Sequence, residues 1–337
     1  MLRLLPFLAV ALPAALHAQS APAAADAAPV ELGHGRHTYR WIAGFATLPD
    51  GSELGNTHGC VAVDSRGRIY FNTDTPRSIC VFEADGSFVK AWGEDFAGGL
   101  HGMTLVREGD QEFLYLAHTG RHEVLKATLD GDVVWTLGVP EEAGIYEQPG
   151  QYRPTDVVVA PDGTIFVADG YGMSWVHQFD ADRRYVRSFG GKGTEPGKMR
   201  TPHGLMIDTR GAEPRLIVAD RENGRLQVFD LEGGLRAVVS GIFRRPCNVY
   251  PHPNGRDLIV PDLAGRVTVL NEKNELVCHL GDQPDPELRA KNGVPRDKWK
   301  DGEFLSPHGA AVDAAGAVYV LDWNRHGRVS RLVPVAR

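Results

Sequence analysis

Polar turns cut this chain into short apolar runs. Between clusters of Gly, Asp, Asn and Pro the runs RIYFNT, FLYLAH, TIFVAD, RLIVAD, DLIVPD and AVYVLD recur, rich in Val, Ile, Tyr and Phe. No long stretch brings apolar residues back at helical spacing, so the pattern predicts an all-β chain.

Each run follows a second conserved-looking phrase, and the two together form a repeat. The phrases read NTHGCVAVD, GLHGMTLV, RPTDVVVA, TPHGLMID, RPCNVYPH and SPHGAAVD, which puts His58, His101, Thr155, His203, Cys247 and His308 at one equivalent position. The intervals between them are 43, 54, 48, 44 and 61 residues. Each copy continues into a third strand (such as RLQVFD) and most into a fourth (such as YVRSFG). Four antiparallel strands repeated six times predict a six-bladed β-propeller. The sixth copy ends after its third strand. The strand-like segment 38–46, TYRWIAGFA, has no blade of its own and is expected to close the ring as the outer strand of blade six.

Composition narrows the setting. A net charge of −7 with interspersed signs and no basic run argues against a nucleic-acid partner. Residues 1–18 carry an early Arg, an apolar stretch and a terminal small residue, the layout of a secretory signal cut near Ala18. Residues 19–37 read as an Ala/Pro-rich linker and 38–337 as the propeller. The expectation is an exported protein, periplasmic or extracellular, with no membrane contact after cleavage. Nothing suggests a coiled coil, so a monomer is expected. Cys60, Cys80, Cys247 and Cys278 fall on non-neighbouring strands, too far apart to bridge, and are expected as buried free thiols.

Propeller geometry then gathers the chemistry. The equivalent position and the loop after the second strand meet at one mouth on the axis. His101, His203 and His308 come from blades two, four and six, about 120° apart in a six-fold ring. Three imidazoles so arranged, with one direction open, suit a catalytic metal, zinc first but also iron or copper. His58 on blade one breaks the alternation and reads either as a lining of the mouth or as a chance filling of the slot, while Thr155 and Cys247 read as ring packing rather than ligands.

The repeat wording resembles the NHL-repeat propellers over nearly all of 50–334. A closer resemblance lies in QYRPTDVVVAPDGTIFVADGYGMSWVHQFD, SFGGKGTEPGKMRTPHGLMIDTRG and LIVADRENGRLQVFD. These look like peptidyl-α-hydroxyglycine α-amidating lyase, a six-bladed zinc propeller that splits a peptidyl-α-hydroxyglycine into an amide and glyoxylate. The resemblance implies His101, His203 and His308 as zinc ligands, Tyr171 as the catalytic tyrosine and Arg221 as an active-site arginine. The substrate would be a small molecule or a peptide.

The departures are as specific as the likeness. Thr73 stands where the family has an active-site Arg, and Arg77, in the same loop, is the candidate to replace it beside His58 in substrate binding. Gly309 replaces an Asp that helps hold a structural calcium, which makes calcium doubtful here. Ser306, Gly172 and Met173-Ser174-Trp175 also differ from the family. The longest insertion, DQPDPELRAKNGVPRDKWKDGEF, is placed beside His308 on the top face, either as a lid or as a solvated loop. Two alternatives stay open: a non-catalytic NHL propeller binding a protein or glycan on that face, and a calcium-dependent lactonase-type hydrolase.

Overall fold

Six four-stranded antiparallel units, arranged as blades, account for nearly all the secondary structure of the chain. The computed structural model describes residues 28–335. Blade one holds Thr57–Val63, Ile69–Thr73, Ile79–Phe82 and Phe88–Trp92, and blade two runs from Leu100–Glu108 to Val133–Leu137. Blade three begins with Asp156–Val159, blade four with Pro202–Asp208 and blade five with Tyr250–Pro251. Among the described residues the helices are all short 3-10 turns, and none is long and apolar enough to cross a membrane.

Burial falls from the axis outwards, which explains why the second strands read as unbroken apolar runs. Ile69–Thr73, Leu258–Asp262 and Val318–Asp322 are buried at every position, because both faces of an inner strand press on neighbouring blades. Outer strands are wet on one side, leaving Val133, Val134, Val186, Val238 and Leu276 exposed. Six apolar clusters fill the gaps between blades. The gap between blades six and one, for example, holds Phe71 stacked on Phe82 at 5.4 Å with Tyr319, Leu321 and Val329.

Blade six closes the ring. Its sheet runs Pro307–Val312, Val318–Asp322, Arg328–Pro334, then His37–Ile42, with Tyr39 opposite Pro334 and Ile42 opposite Arg331. Two boundaries differ from expectation. The closing strand stops at Ile42 rather than 46, and Phe45 and Ala46 instead fill the gap between blades six and one. The segment read as linker through 37 is already a strand at Glu31–His34, a fifth member of this sheet. Leu32 explains it, because it packs into the apolar layer between blades five and six with Trp41 and Leu280. The expected signal segment lies outside the described residues. All four cysteines are buried free thiols.

The aspartates that end the second strands tie the top face together. Asp169, Asp220, Asp262 and Asp322 accept backbone N–H bonds from Arg153 (2.7 Å), Arg200 (2.7 Å), Arg245 (2.7 Å) and Ser306 (2.6 Å), just ahead of their own inner strands. Each buried carboxylate thereby fixes the loop after the second strand beside the axis. The insertion after blade five is anchored, not free. Arg296 Nε pairs with Glu53 at 3.2 Å, Asn324 donates to the Val294 carbonyl at 3.0 Å, and Val294 is buried.

Candidate metal centre and active site

His101, His203 and His308 are delivered by the same local device. In each inner strand the residues before and after the histidine pair with consecutive residues of the second strand: Leu100 with His118 and Gly102 with Ala117, Pro202 with Asp220 and Gly204 with Ala219, Pro307 with Asp322 and Gly309 with Leu321. The histidine is thus the extra residue of a β-bulge, which turns its side chain out of the ladder and towards the axis. The glycine after it is required by contact. A Cβ on Gly102 would lie 2.5 Å from the Thr155 carbonyl oxygen, on Gly204 2.4 Å from that of Cys247, and on Gly309 2.4 Å from that of Gly59. The family's calcium-associated Asp therefore cannot occupy position 309 in this packing.

That close approach fixes the tautomers. His101 Nδ1 donates to the Thr155 carbonyl at 2.7 Å, His203 Nδ1 to the Cys247 carbonyl at 2.8 Å and His308 Nδ1 to the Gly59 carbonyl at 2.9 Å. A carbonyl only accepts, so each Nε2 presents its lone pair to the axis. The three rings lie 4.6–4.9 Å apart by centroid and are 2–3% exposed. Burial holds all three well below the ordinary histidine value. His58 adds to this at His101, Arg221 at His203, and His101 at His308. At neutral pH the mouth is lined by three neutral imidazoles.

Donors are too few for these lone pairs. The Tyr171 hydroxyl lies 3.2 Å from His101 Nε2 and 3.0 Å from His203 Nε2, yet it has one proton to give. His308 Nε2 is buried with no hydrogen-bond partner among the described residues. Buried acceptors left short of protons cost free energy, and a cation removes the deficit. Two sets of side chains bring their donor atoms within 4.8 Å of one another, His58–His101–His308 and His203–Cys247–His308. The three expected ligands are split between these sets, which share His308, and the Tyr171 hydroxyl stands between His101 and His203.

Tyr171 and Arg221 meet beside the histidines. The Tyr171 loop hangs on Asp169, whose carboxylate takes the Met173 N–H at 2.6 Å and the Tyr146 hydroxyl at 2.8 Å. Arg221, 9% exposed, donates from Nη1 to the Tyr171 oxygen at 3.2 Å and from Nε to Glu222 at 2.9 Å. Burial raises the Tyr171 phenol and outweighs the downward pull of Arg221, so on these groups alone it keeps its proton at neutral pH.

Other expectations land differently. His58 is at the rim, 4.9 Å from the His101 ring and 5.0 Å from that of His308, with Nδ1 3.4 Å from Asp74. Arg77 is not brought to the site. Its Nη2 donates to the Glu53 carbonyl at 3.3 Å, and Thr73 Oγ1 donates to the Arg77 backbone carbonyl at 3.0 Å. Two residues escaped the sequence reading: Arg245 Nη2 shares Glu222 with Arg221 at 2.5 Å, and Trp323 stands 6.0 Å from His58. Cys247, expected as ring packing, has its thiol within 4.8 Å of donor atoms of His203 and His308. Trp323 had a signal: it follows Asp322 as Arg221 follows Asp220.

The support of the Tyr171 loop is expected to be acid-sensitive. His177 Nε2 meets the Tyr146 hydroxyl at 2.6 Å and Nδ1 meets Ser188 at 2.7 Å, and burial pushes the imidazole down to about 3. The folded state binds fewer protons than the unfolded state between that value and about 6.5, so stability is full above the window and lost as pH falls through it. Between pH 6.5 and 5 this group is expected to cost about 2 kcal/mol, at about 1.4 kcal/mol per unit. Urea unfolding of His177→Gln at the two pH values is expected to show a correspondingly smaller acid loss than wild type. Equal losses would show that His177 is protonated without cost.

Comparison with known proteins agrees with the fold and narrows the family. Residues 152–179 and 304–332, in blades three and six, match the NHL repeat. Human NHL repeat-containing protein 3 is 32% identical over 238 residues, 67% of this chain and 67% of that protein. A probable peptidyl-α-hydroxyglycine α-amidating lyase of Caenorhabditis elegans is 30% identical over 245 residues, 67% of this chain and 63% of that one. The peptidyl-glycine α-amidating monooxygenase B of Xenopus laevis is 34% identical over 267 residues, 73% of this chain and 27% of that protein. A streptogramin B lyase structure superposes with a TM-score of 0.60 at 14% identity, over 88% of this chain and 98% of that one, a likeness of fold. This chain belongs to the NHL-repeat six-bladed propellers, among relatives that include the peptidyl-α-hydroxyglycine α-amidating lyases.

Proposed function

We propose that this protein is an exported, monomeric, metal-dependent carbon–nitrogen lyase that cleaves an N-acyl or peptidyl α-hydroxyglycine to an amide and glyoxylate. The observation that carries it is the donor deficit at the axis: three buried Nε2 lone pairs, one shared hydroxyl proton, and Arg221 beside them. Relatives named as amidating lyases support the reaction class.

His101, His203 and His308 would hold a transition metal, zinc first, since neutral imidazole suits such ions and calcium prefers oxygen. When bound, that ion supplies Lewis acidity to the substrate hydroxyl. The remaining work falls to the chain. The C–N bond of the carbinolamide breaks as its hydroxyl loses a proton and becomes the glyoxylate carbonyl, and the leaving amide nitrogen gains a proton. Tyr171, its oxygen placed between two imidazole nitrogens and a guanidinium, is the group positioned to move that proton. Arg221 uses two of its five N–H groups on Tyr171 and Glu222, leaving others for the substrate carboxylate.

The test is direct. Purified protein given zinc and an N-acyl-α-hydroxyglycine is expected to release glyoxylate faster than buffer does, and a chelator is expected to stop it. No release above the buffer rate overturns the lyase reading. A second reading, a propeller that binds a protein or glycan on this face, is favoured by Thr73 in place of the family arginine and by the likeness to NHL repeat-containing protein 3.

A further inference from the structure

Blade five carries a cysteine at the position where blades two, four and six carry histidine. We propose that Cys247 is a fourth protein ligand to the metal, completing a shell of three nitrogens and one sulfur. This rests on the metal site of the proposed function but not on its lyase chemistry.

Four observations converge. The Cys247 backbone carbonyl accepts the His203 Nδ1–H at 2.8 Å, which locks residue 247 beside that imidazole. Its sulfur belongs to a buried set with donor atoms of His203 and His308, all within 4.8 Å. His308, 2% exposed, has an Nε2 with no partner among the described residues. The thiol is fully buried and free, with a long 3.9 Å contact to the Arg245 carbonyl and the Arg221 guanidinium beside it. Ligand atoms on a tetrahedral zinc stand about 3.5 Å apart, given Zn–N near 2.0 Å and Zn–S near 2.3 Å. His308, which belongs to both sets, links His203 and Cys247 to His101.

The chemistry balances without a redox partner. The thiol loses its proton to solvent, the sulfur lone pair forms the bond to the metal, and no electron changes hands. A thiolate makes the site selective for thiophilic ions over magnesium, manganese or calcium. It would also take the position that three histidines alone leave open.

Cobalt(II) reads the sulfur ligand directly, because thiolate ligation gives an intense near-ultraviolet charge-transfer band and nitrogen ligation alone gives weak visible bands. The cobalt-loaded wild type is expected to show both. Cys247→Ser and Cys247→Ala are expected to lose the near-ultraviolet band while keeping visible absorption, which reports an intact histidine set. Visible bands without the charge-transfer band in wild type would overturn the proposal and leave the metal site standing. Persistence of the band in Cys247→Ala would overturn it too, by placing the sulfur elsewhere. A wild type that binds no cobalt would overturn both the thiolate ligand and the metal site beneath it.

Discussion

His203→Ala is expected to bring bound metal from about one ion per chain to near none. His203 is tied at both ends, by Nδ1 to the Cys247 carbonyl at 2.8 Å and by Nε2 to the Tyr171 hydroxyl at 3.0 Å, so its removal loses a ligand and the orientation of two neighbours. Glyoxylate release should fall by about 10²-fold or more, since Lewis acidity contributes several kcal/mol and each 1.36 kcal/mol is tenfold. Elemental analysis and glyoxylate assay of both proteins, with circular dichroism to confirm the fold, make the comparison. Equal metal in wild type and variant would remove His203 from the site. A wild type that takes up no metal when zinc is offered would leave a binding propeller in place of an enzyme.

The blades were legible because each of the six copies repeats the same constraint. A strand pressed on both faces must be apolar throughout, so RLIVAD and AVYVLD announce themselves, and their terminal Asp is held in place by backbone N–H groups of the same blade. The histidines were legible for a related reason. The bulge that turns them to the axis needs a glycine next in sequence, and His-Gly recurs at 101, 203 and 308. What the repeat does not encode is the direction of a side chain on a loop. Arg77 follows Thr73 closely, yet its guanidinium is spent on the Glu53 carbonyl. Arg245 reaches the site through Glu222, a neighbour from blade four that no spacing within blade five could announce. Glu31–His34 was hidden by composition, since the Ala/Pro tract runs up to a strand whose Leu32 finds its apolar layer only once the ring has closed.

Tyr171→Phe isolates the chemistry from the metal. The substitution keeps the ring, which packs edge-on against His101 at 5.0 Å and His203 at 5.5 Å, and removes only the oxygen. Three nitrogens converge on that oxygen, from His101, His203 and Arg221, and none of them can replace its role as both donor and acceptor. Metal content is therefore expected to stay at the wild-type level, while kcat falls by about 10²–10⁴-fold, the range of a lost proton-transfer group. KM should change little, because the substrate carboxylate is assigned to Arg221 and not to the phenol. Steady-state glyoxylate release, read beside metal content, decides it. A kcat within a few-fold of wild type would move the proton to another group. Loss of the metal together with the rate would mean that the hydroxyl organises His101 and His203 instead of acting on substrate.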